Sequence, residues 1–169
     1  MVRVVWSLLC ERVLEDPTTK SATLVDVTEG LTIGGNIPEL AQDAIANVPV
    51  KLSSVTLWTR ESKDVNTSFE SRLVVRLPDG REFGTPKFPI EMGAALNYRQ
   101  VVKMQQFPFA GLGAYTLVIQ AKQEDGWVAK AEVPILVQGP PETQQKKLTG
   151  KPVAPKRASR IPRKKKSSR

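Results

Sequence analysis

GAYTLVIQAKQEDGWVAKAEVPILV, residues Gly113 to Val137, is the stretch whose reading decides the fold class. Tyr115, Leu117, Ile119 and Ala121 recur at every second position, and after the turn at Asp125 and Gly126 the same period returns through Trp127, Ala129, Ala131, Val133, Ile135 and Val137. A period of two places one set of side chains on one face of a strand, so the stretch reads as two strands joined by a tight turn. Trp127 falls on the apolar phase and is expected in the core. Tyr115, two residues after Gly113, resembles the tyrosine that pins a corner in many β-sandwiches.

Working outward, the same pattern covers most of the chain. SFESRLVVRL and REFGTPKFPI flank Pro78, Asp79 and Gly80, where Asp-Gly favours the positive φ angles of a hairpin turn. YRQVVKMQQF supplies a further strand. Val48, Val50 and Leu52 share one phase and Val55 and Leu57 the other, so Ser53 and Ser54 are expected to form a bulge. At the N-terminus Val2, Val4, Trp6, Leu8, Cys10, Arg12 and Leu14 alternate as one largely buried face, with Trp6 and Cys10 on it. After the turn DPTTK, Val25, Val27, Leu31 and Ile33 predict a second strand. The segment PELAQDAIAN, Pro38 to Asn47, spaces Leu40, Ala41, Ala44 and Ile45 as a short helix does, with Pro38 in its first turn. Seven or eight strands separated by turn signals predict an all-β protein, an antiparallel β-sandwich of immunoglobulin-like kind with that one helix.

Gly139, Pro140 and Pro141 end the pattern. Residues 1–137 are expected to form the sandwich domain and residues 138–169 a Lys/Arg/Pro-rich tail. The tail has no Phe, Trp or Tyr, and burial in it cannot offset the entropy of ordering, so it is expected to be disordered when alone. Charge divides at the same place. Up to Val137 there are 14 Lys and Arg against 16 Asp and Glu, a balance of −2; from Gln138 there are 11 against one, a balance of +10, which together give the net +8 of the chain. The basic pI therefore belongs to the tail. Lys156, Arg157, Arg160, Arg163, Lys164, Lys165, Lys166 and Arg169 are the candidate residues for binding nucleic acid or another polyanion, because such residues neutralise phosphates and release counterions without reading sequence. Pro152, Pro155 and Pro162 prevent a continuous basic helix, and the lack of aromatics removes base stacking.

Other chemistries find little support. The chain has no histidine and a single cysteine, so Ser-His-Asp, Cys-His and HExxH sites cannot be built within it, and no disulfide or CxxC pair is available. Cys10 beside Glu11 is a poor nucleophile, because a carboxylate raises a thiol's pKa and strand neighbours face opposite sides. Asp26 and Glu29 also face opposite sides and do not form a carboxylate pair. GLTIGG and FAGLGAY lack the spacing of a phosphate-binding loop and read as turns. Trp58 follows the phase shift and has no assigned face. No catalytic residue, cofactor, metal or small-molecule substrate is inferred. No apolar run reaches the roughly 18 residues of a membrane span, and a cytoplasmic location is expected. A protein partner on a sandwich face or strand edge is the alternative function.

SLLCERVLEDPTTKSATLVDVTEGLTI, Ser7 to Ile33, together with GLGAYTLVIQ, Gly111 to Gln120, resembles a family of small bacterial β-sandwich domains of unknown function. The resemblance covers Val4 to Val137 and implies the sandwich fold; it implies no activity and no site residues.

Overall fold

The computed structural model describes residues 1–34, 44–61 and 67–140. Among these the protein is all-β, with ten strands: β1 (Val2–Glu15), β2 (Ala22–Val27), β3 (Gly30–Thr32), β4 (Ala46–Arg60), β5 (Thr67–Arg76), β6 (Glu82–Gly84), β7 (Phe88–Gly93), β8 (Asn97–Phe109), β9 (Gly113–Gln123) and β10 (Gly126–Gln138). One sheet has the order β2-β1-β4-β8. The other has the order β3-β10-β9-β5-β6, with β7 also paired to β5. Pairing is antiparallel except between β3 and β10. Leu9, Leu52, Trp58, Val102 and Phe107 of the first sheet join Leu73, Ile90, Leu117, Ile119 and Ile135 of the second in one buried cluster. Two sheets that share one core make a sandwich.

Ten strands exceed the expected seven or eight, and two of them arise where one apparent run is broken. The run from Val25 to Ile33 divides at Thr28, whose hydroxyl bonds the Gly30 carbonyl at 2.7 Å and accepts from the Gly30 amide at 3.2 Å. With Asp26 at a φ of 55°, the chain leaves the first sheet there and enters the second. REFGTPKFPI divides at Thr85 and Pro86 into β6 and β7, consistent with proline's missing amide, which cannot serve a ladder. The Asp79-Gly80 turn forms as expected, with Gly80 at a φ of 87° and the Leu77 amide bonded to the Arg81 carbonyl at 2.8 Å.

The expected helix is corrected where it can be compared. Ala46 and Asn47 pair with Phe109 and Pro108 as the start of β4, and Ala44 and Ile45 are irregular. The ladder with β8 satisfies this backbone, overriding the local 3.6-residue spacing. The remainder of that segment, residues 38–43, lies outside the described residues. The bulge expected at Ser53 and Ser54 is also corrected: both pair in register with Lys103 and Val102, and the irregularity lies between Pro49 and Leu52. Val55 simply faces the other side of a strand that is apolar on both.

A polar chain crosses the core. Trp58 Nε1 donates to Gln100 Oε1 at 2.9 Å, and Gln100 Nε2 donates to Ser71 Oγ at 2.7 Å, linking β4 and β8 of one sheet to β5 of the other. Each buried donor thus finds an acceptor, which a buried amide or indole requires.

Candidate interaction surfaces

Trp6 and Trp127, expected in the core, lie outside the core cluster, and Trp58, which had no assigned face, lies within it. Trp58 is fully buried and packs its ring edge-on against Phe69 at 5.0 Å. Trp127 lies outside the core cluster, half-buried on the outer face of the second sheet, with the Arg72 guanidinium 4.4 Å and the Lys87 ammonium 6.0 Å from its ring centre. The reason is register. The turn pairs Gln123 with Gly126 and therefore Trp127 with Lys122, and residues paired across two strands share a face. That pairing was available in the sequence and is the signal that places Trp127 outside. An irregularity between Ala129 and Ala131 then returns Ala131, Val133 and Ile135 to the core phase. Around Trp127, Arg72 Nε donates to Gln120 Oε1 at 2.7 Å, and Glu70 accepts ion pairs from Lys122 at 3.2 Å and Lys87 at 3.9 Å. Glu70 is thus shared by the two lysines, while Arg72 is held by a neutral amide.

On β1 a register shift between Val4 and Trp6 reverses the faces. Val2, Val4 and Leu9 contact the core, Trp6 does not, and Leu8 and Leu14 are exposed. The single buried face expected from Val2 to Leu14 is thus split at the bulge, because one extra residue exchanges inside and outside for all that follow. Cys10 is fully buried, as expected, but between β2 and β4, outside the core cluster. Its Sγ lies 3.8 Å from the Ser53 carbonyl, and burial pushes the thiol up from its ordinary value. A thiol held protonated is a weak nucleophile.

Asp26 lies 4.0 Å from Arg12. Among the described residues no group of three or more His, Cys, Asp or Glu is placed to hold a metal ion, and no helix is long and apolar enough to cross a membrane. Tyr115 takes the corner role expected of it: its hydroxyl donates to the Gly111 carbonyl at 2.7 Å and accepts from the Ala110 amide at 2.9 Å. The basic residues Lys156, Arg157, Arg160, Arg163, Lys164, Lys165, Lys166 and Arg169 lie outside the described residues.

A groove lies at the flank where the first sheet ends in β8. β8 pairs with β4 on one side, and among the described residues no strand pairs with its other side. The groove, of about 430 Å³, is lined by Val102, Lys103, Met104, Gln105, Gln106 and Pro108 of β8 and, across from them, by Val75 and Phe83 to Pro86 with Phe88. The far wall is fixed to β5: the Thr85 amide bonds the Leu73 carbonyl at 2.7 Å, and its hydroxyl accepts from the Leu73 amide at 3.0 Å. Phe83 is 41% exposed there. Sequence reasoning missed this groove, because the strand order that leaves β8 at an edge is not a local property.

Comparison with family models, with curated proteins and with solved structures gives no match to this chain.

Proposed function

We propose that this protein is a non-catalytic binding module of immunoglobulin-like architecture that engages a protein partner through its sandwich surface. The observation that carries the reading is the flank of β8, a strand of 13 residues, which no strand pairs among the described residues and which lies beside an apolar groove. Unpaired strand edges recruit extended segments of other chains unless something covers them. The immunoglobulin-like assignment is supported by the orders β10-β9-β5 and β1-β4-β8, which correspond to the G-F-C and A-B-E sets of that fold, and by the Tyr115 corner. The resemblance to small bacterial β-sandwich domains and a cytoplasmic location belong to the same proposal. Selection of random displayed peptides on the full chain, in salt high enough to silence the tail, should enrich peptides that compete with one another for the protein. Failure of any peptide to enrich above a peptide copy of the tail overturns the reading.

A second reading is favoured by the division of charge, −2 up to Val137 and +10 after it. We propose that the tail tethers the module to nucleic acid or another polyanion without sequence specificity. Five or six phosphate contacts give log K against log salt a slope of roughly −5 on duplex DNA, with Kd of about 10⁻⁴ to 10⁻⁶ M at physiological salt. Replacing Lys164, Lys165 and Lys166 with Gln should reduce the slope by up to three contacts' worth. An unchanged slope and affinity would remove those lysines from the tether.

A further inference from the structure

We infer that the open flank of β8 takes an extended peptide strand in which apolar residues alternate with acidic ones; this rests on the binding-module reading above and specifies its site and ligand. Every second residue of an edge strand turns its amide and carbonyl away from its neighbour, so β8 offers a row of backbone donors and acceptors that only another extended backbone satisfies in series. Val102 and Met104 are 8% exposed and face the core, whereas Lys103 between them is exposed on the outer face. A strand laid alongside β8 inherits this alternation. Its residues beside Val102 and Met104 enter the groove next to Phe83 and Val75, which requires apolar side chains. Its residues beside Lys103 remain outside, where charge decides the choice.

That outer corner is basic. Lys103 and Lys51 both line a depression there, and neither makes an ion pair among the described residues. Arg12 adds a third cation, although it reaches Asp26, and Glu11 is the one acid on the lining. Opposite charges across neighbouring strands attract and like charges repel. The same charge argues against two other occupants. A second copy pairing antiparallel about the centre of β8 brings Lys103 against Lys103. The chain's own tail carries 11 Lys and Arg against a single Glu. Pro108 and the register irregularity opposite Pro49 to Leu52 further shorten the length over which β8 could pair with itself.

The test uses the full chain and an eight-residue peptide of alternating valine and glutamate, read by amide hydrogen exchange. The expected result is a saturable slowing of exchange, tenfold or more, at alternate amides of β8 between Tyr98 and Gln105. A peptide of the same composition with its four valines and four glutamates in blocks should bind the tail and leave β8 unprotected. Lys103→Glu, an exposed change checked for folding by circular dichroism, should weaken the valine-glutamate peptide fivefold or more and favour a valine-lysine peptide; Lys103→Gln should fall between. Absence of protection on β8, protection on β2 or β6 instead, or indifference to Lys103→Glu overturns the inference. So does a concentration-dependent dimer that protects β8 without peptide. Library peptides that protect amides elsewhere would sink this site while leaving the binding-module reading intact; an empty library selection would sink that reading itself.

Discussion

Two edges of the sandwich, one in each sheet, meet the same problem in different ways. In the second sheet, β10 would be an edge, but β3 lies parallel against it, with the Leu136 amide on the Glu29 carbonyl at 2.9 Å and the Ile33 amide on the Gln138 carbonyl at 3.0 Å. In the first sheet, β8 is an edge and, among the described residues, stays one. β3 covers the last three residues of β10, Leu136 to Gln138, whereas among the described residues no strand covers any of the 13 residues of β8 on its outer side. The difference teaches that edge protection here follows from where the chain passes and not from how long a strand is. β3 covers β10 because the break at Thr28 throws the chain across to the other sheet. Nothing described performs that crossing beside β8.

The closed flank should respond strongly to substitution and the open one weakly. The largest effect is expected for Ile135→Ala in β10, where a residue 1% exposed in the shared core is truncated; the loss should be about 2 to 5 kcal/mol by chemical denaturation. A loss below 1 kcal/mol would mean that this flank is loosely packed and the comparison is void.

Tyr115→Phe comes next, with an expected loss of about 1 to 3 kcal/mol, because it leaves the Ala110 amide without its acceptor. Burial holds the Tyr115 hydroxyl above its ordinary pKa. Its folded pKa therefore exceeds its unfolded one, so this contribution to stability is complete below about pH 10 and is lost as pH rises through the folded value. Alkaline unfolding should show that component in the natural chain and lack it in Tyr115→Phe. Identical alkaline profiles would remove the corner from the account of the closed flank.

Gly30→Ala tests the cover itself. A Cβ at Gly30 would meet the Leu136 carbonyl oxygen at 3.0 Å, so β3 and β10 must part by a few tenths of an ångström to admit it. The expected cost is about 1 kcal/mol, with faster exchange at the Leu136 amide as β3 lifts from β10. Unchanged exchange would show that the strand adjusts without detaching.

The smallest effect is expected on the open flank, where Lys103→Glu should change stability by no more than about 0.5 kcal/mol, as exposed substitutions usually do. A larger loss would mean that Lys103 supports the fold, and the contrast between the flanks would narrow.

Legibility of the fold from sequence follows the range of the interactions involved. The strands, the turns at Asp79-Gly80 and Asp125-Gly126, and the corner at Tyr115 were readable because each depends on residues within a few positions. Faces were read less well. Trp127 and Trp6 were expected inside and the structure places both outside the core cluster, because single irregularities on β1 and β10 exchange the faces on either side of them; Trp58, left unassigned, is in the core. Bulges leave no composition of their own, so alternation carried across one gives the wrong side. The candidate tail was visible as charge, since net charge needs no coordinates.

The sequence by itself determined that this protein is built of strands, where they turn, that Cys10 is buried, and that its net positive charge lies in residues 138–169. Alternation, turn chemistry and charge are local or additive, and so survive without a fold. The tertiary structure alone decided that Thr28 sends β3 to the other sheet, that Gln100 and Ser71 complete a polar chain from Trp58, and that β8 ends its sheet beside a groove. Each of these depends on which distant segments become neighbours. That choice is made by the burial of the whole core at once, which no short stretch encodes.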